Sequence, residues 1–527
     1  MGKWRQMSVI AIFASLCAIY QACTTNNDTD KDSDTSKPKP SSDSDADSET
    51  DTDPDVDTGT EFQIDPEEAV GCDLVTITNA EISEKISTVG IIEWTADGTV
   101  SDAYIEFGPI KGDYQRQAPV DLTEDNYRTL LLGMKTESQY KFRVVATVDG
   151  ETCVSGAKGI QTGTLPTGIP DLTFSGASSG GFIVTTSFVN GFTNQSDVWD
   201  GALIIDEDGD YVWWYNPETR PADWVRARIS SDGKYMWIAN GNYPNINQGT
   251  IVKVRMDGTE EEVFSFPKRH HDLLELPFDG ILAFMEYDPS GTGTCDQIVE
   301  VTPDGNKTVV FKVRDYFGEY AIEGEEWCHS NALNYVESED AYYLSVLMFN
   351  TILKFNRTTG ELEWKMGGED SDFPGVWWDR QHQHHLLDNS ILIFSNGGHA
   401  TDEYVPEIID EDAGDVSDAG DTGATGGAFW SYAVSHTIEF SFDEDTKTAS
   451  LIWDYKDGLL GSMAMGDAKR LPNGNTQIIY SSIGVIQEVT PEKEKVYEIK
   501  RNGVFGYGSR RDSLYAAPPE YDYYLKR

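Results

Sequence analysis

The sequence predicts an all-β protein, a six-bladed β-propeller preceded by a small β-sandwich. Two observations predict it. Short strands of alternating apolar and polar residues run from 71 to 164, and a hairpin pattern then recurs at roughly 50-residue spacing to the end of the chain.

The chain opens with "MGKWRQMSVIAIFASLCAIYQAC", in which Lys3 and Arg5 precede an apolar run too short to span a bilayer. Residues 1–23 therefore read as a secretory signal, and Ala22-Cys23 at its end resembles a bacterial lipoprotein cleavage site with Cys23 as the lipidated residue. Tyr20 departs from that pattern, which usually has Leu there. Residues 24–68 follow as a Ser-, Thr- and Asp-rich stretch with almost nothing to bury, so they are expected to form a disordered acidic tether. Over the whole chain Lys+Arg 40 stand against Asp+Glu 90, a formal charge of −50 that excludes nucleic acid as a partner. Contact with a membrane is expected through the lipid anchor only.

Residues 69–165 carry "LVTITNAEI", "GIIEWTADG", "SDAYIEFGP" and "YKFRVVATVDG", a two-residue period broken by turn residues. Trp94 on an early strand and Tyr140, Phe142 and Val144 on a late one resemble a fibronectin type III domain. Four cysteines lie beyond the signal region, and in an oxidising compartment an even number suggests disulfides. Cys72 and Cys153 bracket the sandwich and are expected to pair, as are Cys295 and Cys328.

From 171 to 527 the hairpins "GALIIDEDGDYVWWY", "GTIVKVRMDGTEEEVFSF", "QIVEVTPDGNKTVVFKV", "NTILKFNRTTGELEWKM", "HTIEFSFDEDTKTASLIWDY" and "GVIQEVTPEKEKVYEIK" supply six repeats. Such units close naturally as a propeller, the stretch near Phe174 and the end near Tyr515 sharing the closure. The "DEDGD" at 206–210 sits at a hairpin tip and reads as a turn rather than a calcium loop. The acidic insertion within 402–427 reads as a solvated loop, with calcium binding left open.

A further strand precedes each of the later hairpins. Anchored on Leu276, Asn334, Leu387 and Leu471, the residue five positions earlier is His271, His329, His382 and Gly466. All 8 histidines of the chain lie between His270 and His436, so three imidazoles at one repeat position stand out. His270, His384 and His385 read as their neighbours. Three convergent imidazoles could hold zinc, or form an anion pocket with a nucleophile, or be core residues spread by duplication. Against zinc, no carboxylate recurs in register, and no metal is expected.

Together, "RHHDLLELP", "EWCHSNALNY", "NTILKFNRTTGELEWKMGG", "QHQHHLLDNSILIFSNGG" and "GDAKRLPNGNT" resemble the bacterial arylsulfate sulfotransferase family. The resemblance implies an exported six-bladed propeller that moves a sulfuryl group from an aryl sulfate to a phenol by a ping-pong route. It implies no cofactor and no nucleotide donor, and leaves a homodimer open. By position, His382 matches the family's transiently sulfated nucleophile. His271 and His329 match residues that hold sulfuryl oxygens and manage protons, and Asn331 matches a polar substrate-binding residue. Leu347 stands where the family has an arginine, and Arg380 or Arg510 is expected to substitute. A non-catalytic propeller that binds sulfated or phenolic ligands is the alternative this departure supports.

Overall fold

The computed structural model describes residues 62–188, 199–217, 223–241, 248–397, 434–458 and 460–515. The signal segment with Cys23, the tether up to 61 and the acidic insertion within 402–427 lie outside the described residues.

Residues 75–161 form two antiparallel sheets. Val75–Ile82, Gly90–Ala96 and Thr129–Leu131 make the first, and Arg116–Pro119, Val100–Pro109, Gln139–Val148 and Glu151–Val154 the core of the second, with Lys158–Gln161 paired to Gln139–Val148. Alternation in sequence becomes alternation in burial, so Trp94, Ile92, Ile105, Phe107, Phe142 and Val144 fill one core between the sheets. The Cys72–Cys153 disulfide, with Cα atoms 5.6 Å apart, pins the segment entering this unit to its strand Glu151–Val154.

Beyond residue 171 the described residues form six antiparallel sheets of four or five strands. Five of them begin with the strands Trp224–Ile229, Arg269–Glu275, Ser330–Val336, Gln381–Leu387 and Asp467–Arg470; each of the first four packs against the first strand of the next sheet, and Phe182–Phe188 of the remaining sheet packs against Trp224–Ile229. These first strands therefore face a common axis, which is the arrangement of a propeller. Both ends of the region close the ring. Leu172–Gly176 adds a fifth strand to the outer edge of the last sheet, beside Lys495–Arg501. Val504–Phe505 and Ser509–Arg511 pair with Phe182–Phe188 on the inner side of the first sheet.

Strands buried on both faces lose the alternating pattern, and polar residues on them must satisfy one another. Asp272 does this for four sheets. Arg226 donates to both its oxygens at 2.6 and 3.0 Å, Gln383 Nε2 donates to it at 3.0 Å, and the Leu333 N–H reaches it at 3.3 Å. Burial would raise the Asp272 carboxyl, but Arg226 and Arg228 outweigh it and hold it well below the usual carboxylate range.

The sandwich is fastened to the propeller by direct bonds. Ser83 Oγ donates to the Asp257 carbonyl at 2.6 Å, and Tyr515 Oη donates to the Leu130 carbonyl at 3.1 Å while accepting from the Leu132 N–H at 2.8 Å. The "DEDGD" turn meets Lys135 of the sandwich, whose ammonium lies 2.6 Å from Asp208, 2.7 Å from Asp210 and 3.4 Å from Asp206. The three carboxylates of this loop are thus paired with a lysine of the sandwich.

Candidate active site

Register in the inner strands is interrupted where the site lies. Pairing skips between His270 and Leu273, between Ser330 and Ala332, and between Gln381 and His384. His271, Asn331 and His382 fall in these bulges, and His329 stands just before its strand. The three histidines thus meet without sharing one repeat position, and Asn331 is the bulge counterpart of His271 and His382. A bulge re-aims side chains at a cost in local pairing, and is a common device beside active sites. His271, His329, Arg380 and Met465 all adopt positive φ, between 50 and 58°. Such backbone costs on the order of 1–3 kcal/mol per residue and persists only where surrounding structure imposes it.

The imidazoles converge. His271 and His329 lie edge to face with ring centroids 4.9 Å apart, and each acts electrostatically on the neighbouring groups of the cluster, His382 included. Their protonation preferences divide two against one. His382 is buried, and its pKa is pushed down to about 3 by burial above all, which a hydrogen bond to Asn396 only partly offsets. Its Nδ1 lies 2.5 Å from Asn396 Oδ1. Asn396 cannot turn around, because its amide nitrogen donates to the carbonyls of Ser462 and Met465, both at 2.7 Å. Asn396 Oδ1 must therefore accept, His382 Nδ1 must carry the proton, and Nε2 keeps its lone pair. That lone pair accepts the Met465 N–H at 3.1 Å.

His329 is the opposite case. Burial disfavours its charge, but Glu326, whose Oε1 is 2.8 Å from Nδ1, more than compensates and its pKa is raised. His271 retains partial solvent access at its position in the cluster. Burial, then His329, His270, His382 and Arg269, push its pKa well below the ordinary value.

Asn331 Nδ2 donates to the Gln381 carbonyl at 2.8 Å, and the Tyr507 hydroxyl donates to the Asn331 carbonyl at 3.2 Å. The Tyr507 ring lies 6.4 Å from that of His382. Arg380 is partly buried; its guanidinium donates to the Gly397 carbonyl and its backbone N–H donates to Asn350 Oδ1 at 2.7 Å. Burial lowers its pKa, with Asp379 opposing, and it in turn depresses His382. Arg510 is placed elsewhere, against Ser178, the Gly180 carbonyl and Glu488. Leu347 is buried, its N–H donating to the His329 carbonyl at 3.1 Å. The Cys295–Cys328 disulfide fixes the residue immediately before His329. Trp378 belongs to a blade core with Trp364, Phe373 and Phe440.

Sequence reasoning missed Asn396, Glu326 and Asp296. The first two stand inside the motifs "FSNGG" and "EWCHS", so proximity to a histidine was their only signal, and Asp296 gave none. Among the described residues no group of three or more His, Cys, Asp or Glu is arranged to hold a metal ion. No helix among them is long and apolar enough to cross a membrane.

Fold and site together define a β-propeller with a buried three-histidine cluster at its axis. A profile of the Arylsulfotransferase (ASST) family matches residues 175–504, and the chain belongs to that family. Its activity class is accordingly aryl sulfotransfer, with small aryl substrates. Among solved structures the chain is similar to TolB from Acinetobacter baumannii, at 11% identity and a TM-score of 0.39, covering 72% of this chain and 80% of that one. It is also similar to the periplasmic gluconolactonase PpgL of Pseudomonas aeruginosa, at 9% identity and a TM-score of 0.34, covering 64% and 100%. None of the curated proteins matches the sequence.

Proposed function

We propose that the protein is an exported lipoprotein, anchored through Cys23, that transfers a sulfuryl group from an aryl sulfate to a phenol through a sulfohistidine at His382, without a nucleotide donor. The observation that carries this reading is the tautomer imposed on His382. A neutral imidazole with a lone pair on Nε2, oriented by Asn396, is a nucleophile ready at neutral pH. In the first half-reaction Nε2 forms a bond to sulfur while the S–O bond to the aryl group breaks, its electron pair going to the aryl oxygen. In the second, the acceptor phenol gives up its proton, its oxygen attacks sulfur, and the N–S pair returns to Nε2.

Three groups suit the sulfuryl oxygens. His329, whose charged form Glu326 favours, supplies a cation; Arg380 supplies another beside His382; Asn331 offers its amide. His329 and Arg380 thereby take over the role that an arginine at 347 has elsewhere in the family. The Met465 N–H must leave Nε2 for sulfur to approach, and is then placed to donate to a sulfuryl oxygen. Each such preorganised donor is worth on the order of a hundred- to a thousand-fold in turnover.

The test is transfer from 4-nitrophenyl sulfate to phenol by purified protein and by the His382→Ala variant. The variant should lose at least about a thousandfold, and a sulfated His382 peptide should be recovered from the parent protein under non-acidic quenching. Equal rates for the two proteins would remove His382 from the mechanism.

A further inference from the structure

We propose that His270 and Asp296 are positioning residues that form, with His271, a proton relay, in which His271 exchanges a proton with the aryl oxygen while the positive charge resides on His270. The proposal rests on the sulfohistidine reading above and deepens it. His270 Nε2 lies 3.1 Å from Asp296 Oδ1, and His270 Nδ1 lies 2.9 Å from His271 Nδ1. Asp296 and His270 are both fully buried. The second oxygen of Asp296 accepts the Ser330 N–H at 2.5 Å, and the His270 ring stacks on Tyr287 with centroids 4.3 Å apart. Ring plane and carboxylate are thus both fixed. Burial alone would raise the Asp296 carboxyl, but His270 and the Ser330 N–H outweigh it, so it stays ionised.

An ionised Asp296 requires a proton on His270 Nε2. Only one proton then fits between the two facing Nδ1 atoms, and its place decides the state of His271. With it on His271, Nε2 of His271 is a free base. With it on His270, that ring is an imidazolium paired to Asp296, and neutral His271 carries its proton on Nε2. Charge on His271 itself is opposed by burial and by His329, His270, His382 and Arg269 around it. The relay removes that difficulty, because His271 gives or takes a proton at Nε2 while remaining neutral.

The two half-reactions use the two states in turn. As the S–O bond breaks, the aryl oxygen takes the proton from His271 Nε2, and the His270 Nδ1 proton moves to His271 Nδ1. In the second half-reaction the acceptor hydroxyl returns a proton to His271 Nε2, and the shared proton moves back to His270. One proton leaves and one returns per cycle.

Asp296→Asn is nearly isosteric and keeps an oxygen for the Ser330 N–H, but removes the counter-ion of His270. Stopped-flow release of 4-nitrophenol measures sulfo-enzyme formation with a leaving group that needs no proton, and a series of aryl sulfates with more basic leaving groups measures dependence on the proton. The burst from 4-nitrophenyl sulfate should survive in Asp296→Asn. Phenyl sulfate cleavage and transfer to phenol should each fall about a hundredfold, the range of general acid–base contributions. The plot of rate against leaving-group pKa should therefore steepen. A uniform loss across leaving groups would reduce Asp296 to a structural support and overturn the relay, and so would no loss at all. If Asp296→Asn does not fold, His270→Gln should show the same steepening, since its amide can meet Asp296 but cannot shuttle a proton. Failure of the parent protein to give a burst and a sulfated His382 peptide would instead overturn the sulfohistidine reading, so the two failures are distinct.

Discussion

Glu326 is what separates His329 from the other two imidazoles. All three lie in one cluster, where burial pushes each toward the neutral form, and only His329 has a carboxylate against its ring. Replacing it tests the division of labour directly. Because Glu326 raises the pKa of His329, Glu326→Gln should lower it, and the cationic form will be lost at a lower pH. Asp296, which also favours the charged form of His329, does not replace a contact at 2.8 Å, and the neighbouring His271 and His382 bring no negative charge. The alkaline limb of kcat/KM for sulfuryl transfer should therefore move to lower pH, with the plateau rate at acidic pH nearly retained. An unmoved limb would show that His329 acts neutral. His271, His329 and His382 were legible in the sequence because repeats place them at related positions, and Leu347 was legible as a departure from a family pattern. Glu326, Asn396 and Asp296 were not, since nothing in composition or spacing tells which acid or amide will face which ring.

At the scale of elements, the sequence alignment sets Gly466 in the series of His271, His329 and His382; the bulges break that series, but the structure shows why 466 is glycine. Gly466 has φ 114°, and a Cβ there would lie 2.1 Å from Cε1 and 2.3 Å from Cδ1 of Phe394, a fully buried ring. No side chain fits without moving a blade core. Gly466→Ala should cost about 2–4 kcal/mol, combining overpacking with backbone strain, measured by urea denaturation. Activity should fall as well, because the preceding peptide carries the Met465 N–H that meets His382 Nε2. Pairing the change with Phe394→Leu should recover part of the stability, since neighbouring sites couple; strict additivity would place the strain elsewhere. The repeating strands were legible from their period, but the bulges were not. A skipped residue leaves the hydrophobic pattern nearly intact while moving His271, Asn331 and His382 into a register that sequence alignment cannot detect.

For the whole molecule, the concentration of histidines near the axis has a consequence for stability in acid. His384 and His385 neighbour His382 on one strand and are fully buried. The pKa of His384 is pushed down to about 3, by burial first and Lys469 next, and that of His385 well below the ordinary value by burial, Lys469 and Arg470. Their work is structural. His385 Nδ1 accepts the Arg470 N–H from the next sheet at 2.8 Å, and the His384 carbonyl accepts from Asn334 of the preceding one at 2.9 Å. The sign follows from linkage. Each is neutral when folded but protonates near pH 6.5 when unfolded, so below that pH the unfolded chain binds the extra proton and stability falls. Each contributes a slope of about 1.4 kcal/mol per pH unit. Asp223, whose pKa burial raises to about 6, gains a proton in the folded state over part of this range and offsets one such group. Carboxylates held low by ion pairs, such as Asp272 and Glu498, lose their contribution only at lower pH. Buried histidines therefore dominate the window from pH 6.5 to 5 with Asp223 opposing, and the difference between parent and variant isolates His384 and His385. Urea denaturation across that window should give a stability that declines with acidification, and the double variant His384→Gln, His385→Gln should flatten the mean slope by about 2 kcal/mol per pH unit. Both variant residues keep polar atoms for the inter-sheet contacts, so the comparison reads protonation rather than lost packing. A slope identical in the two proteins would mean that these imidazoles already carry their charge in the folded state.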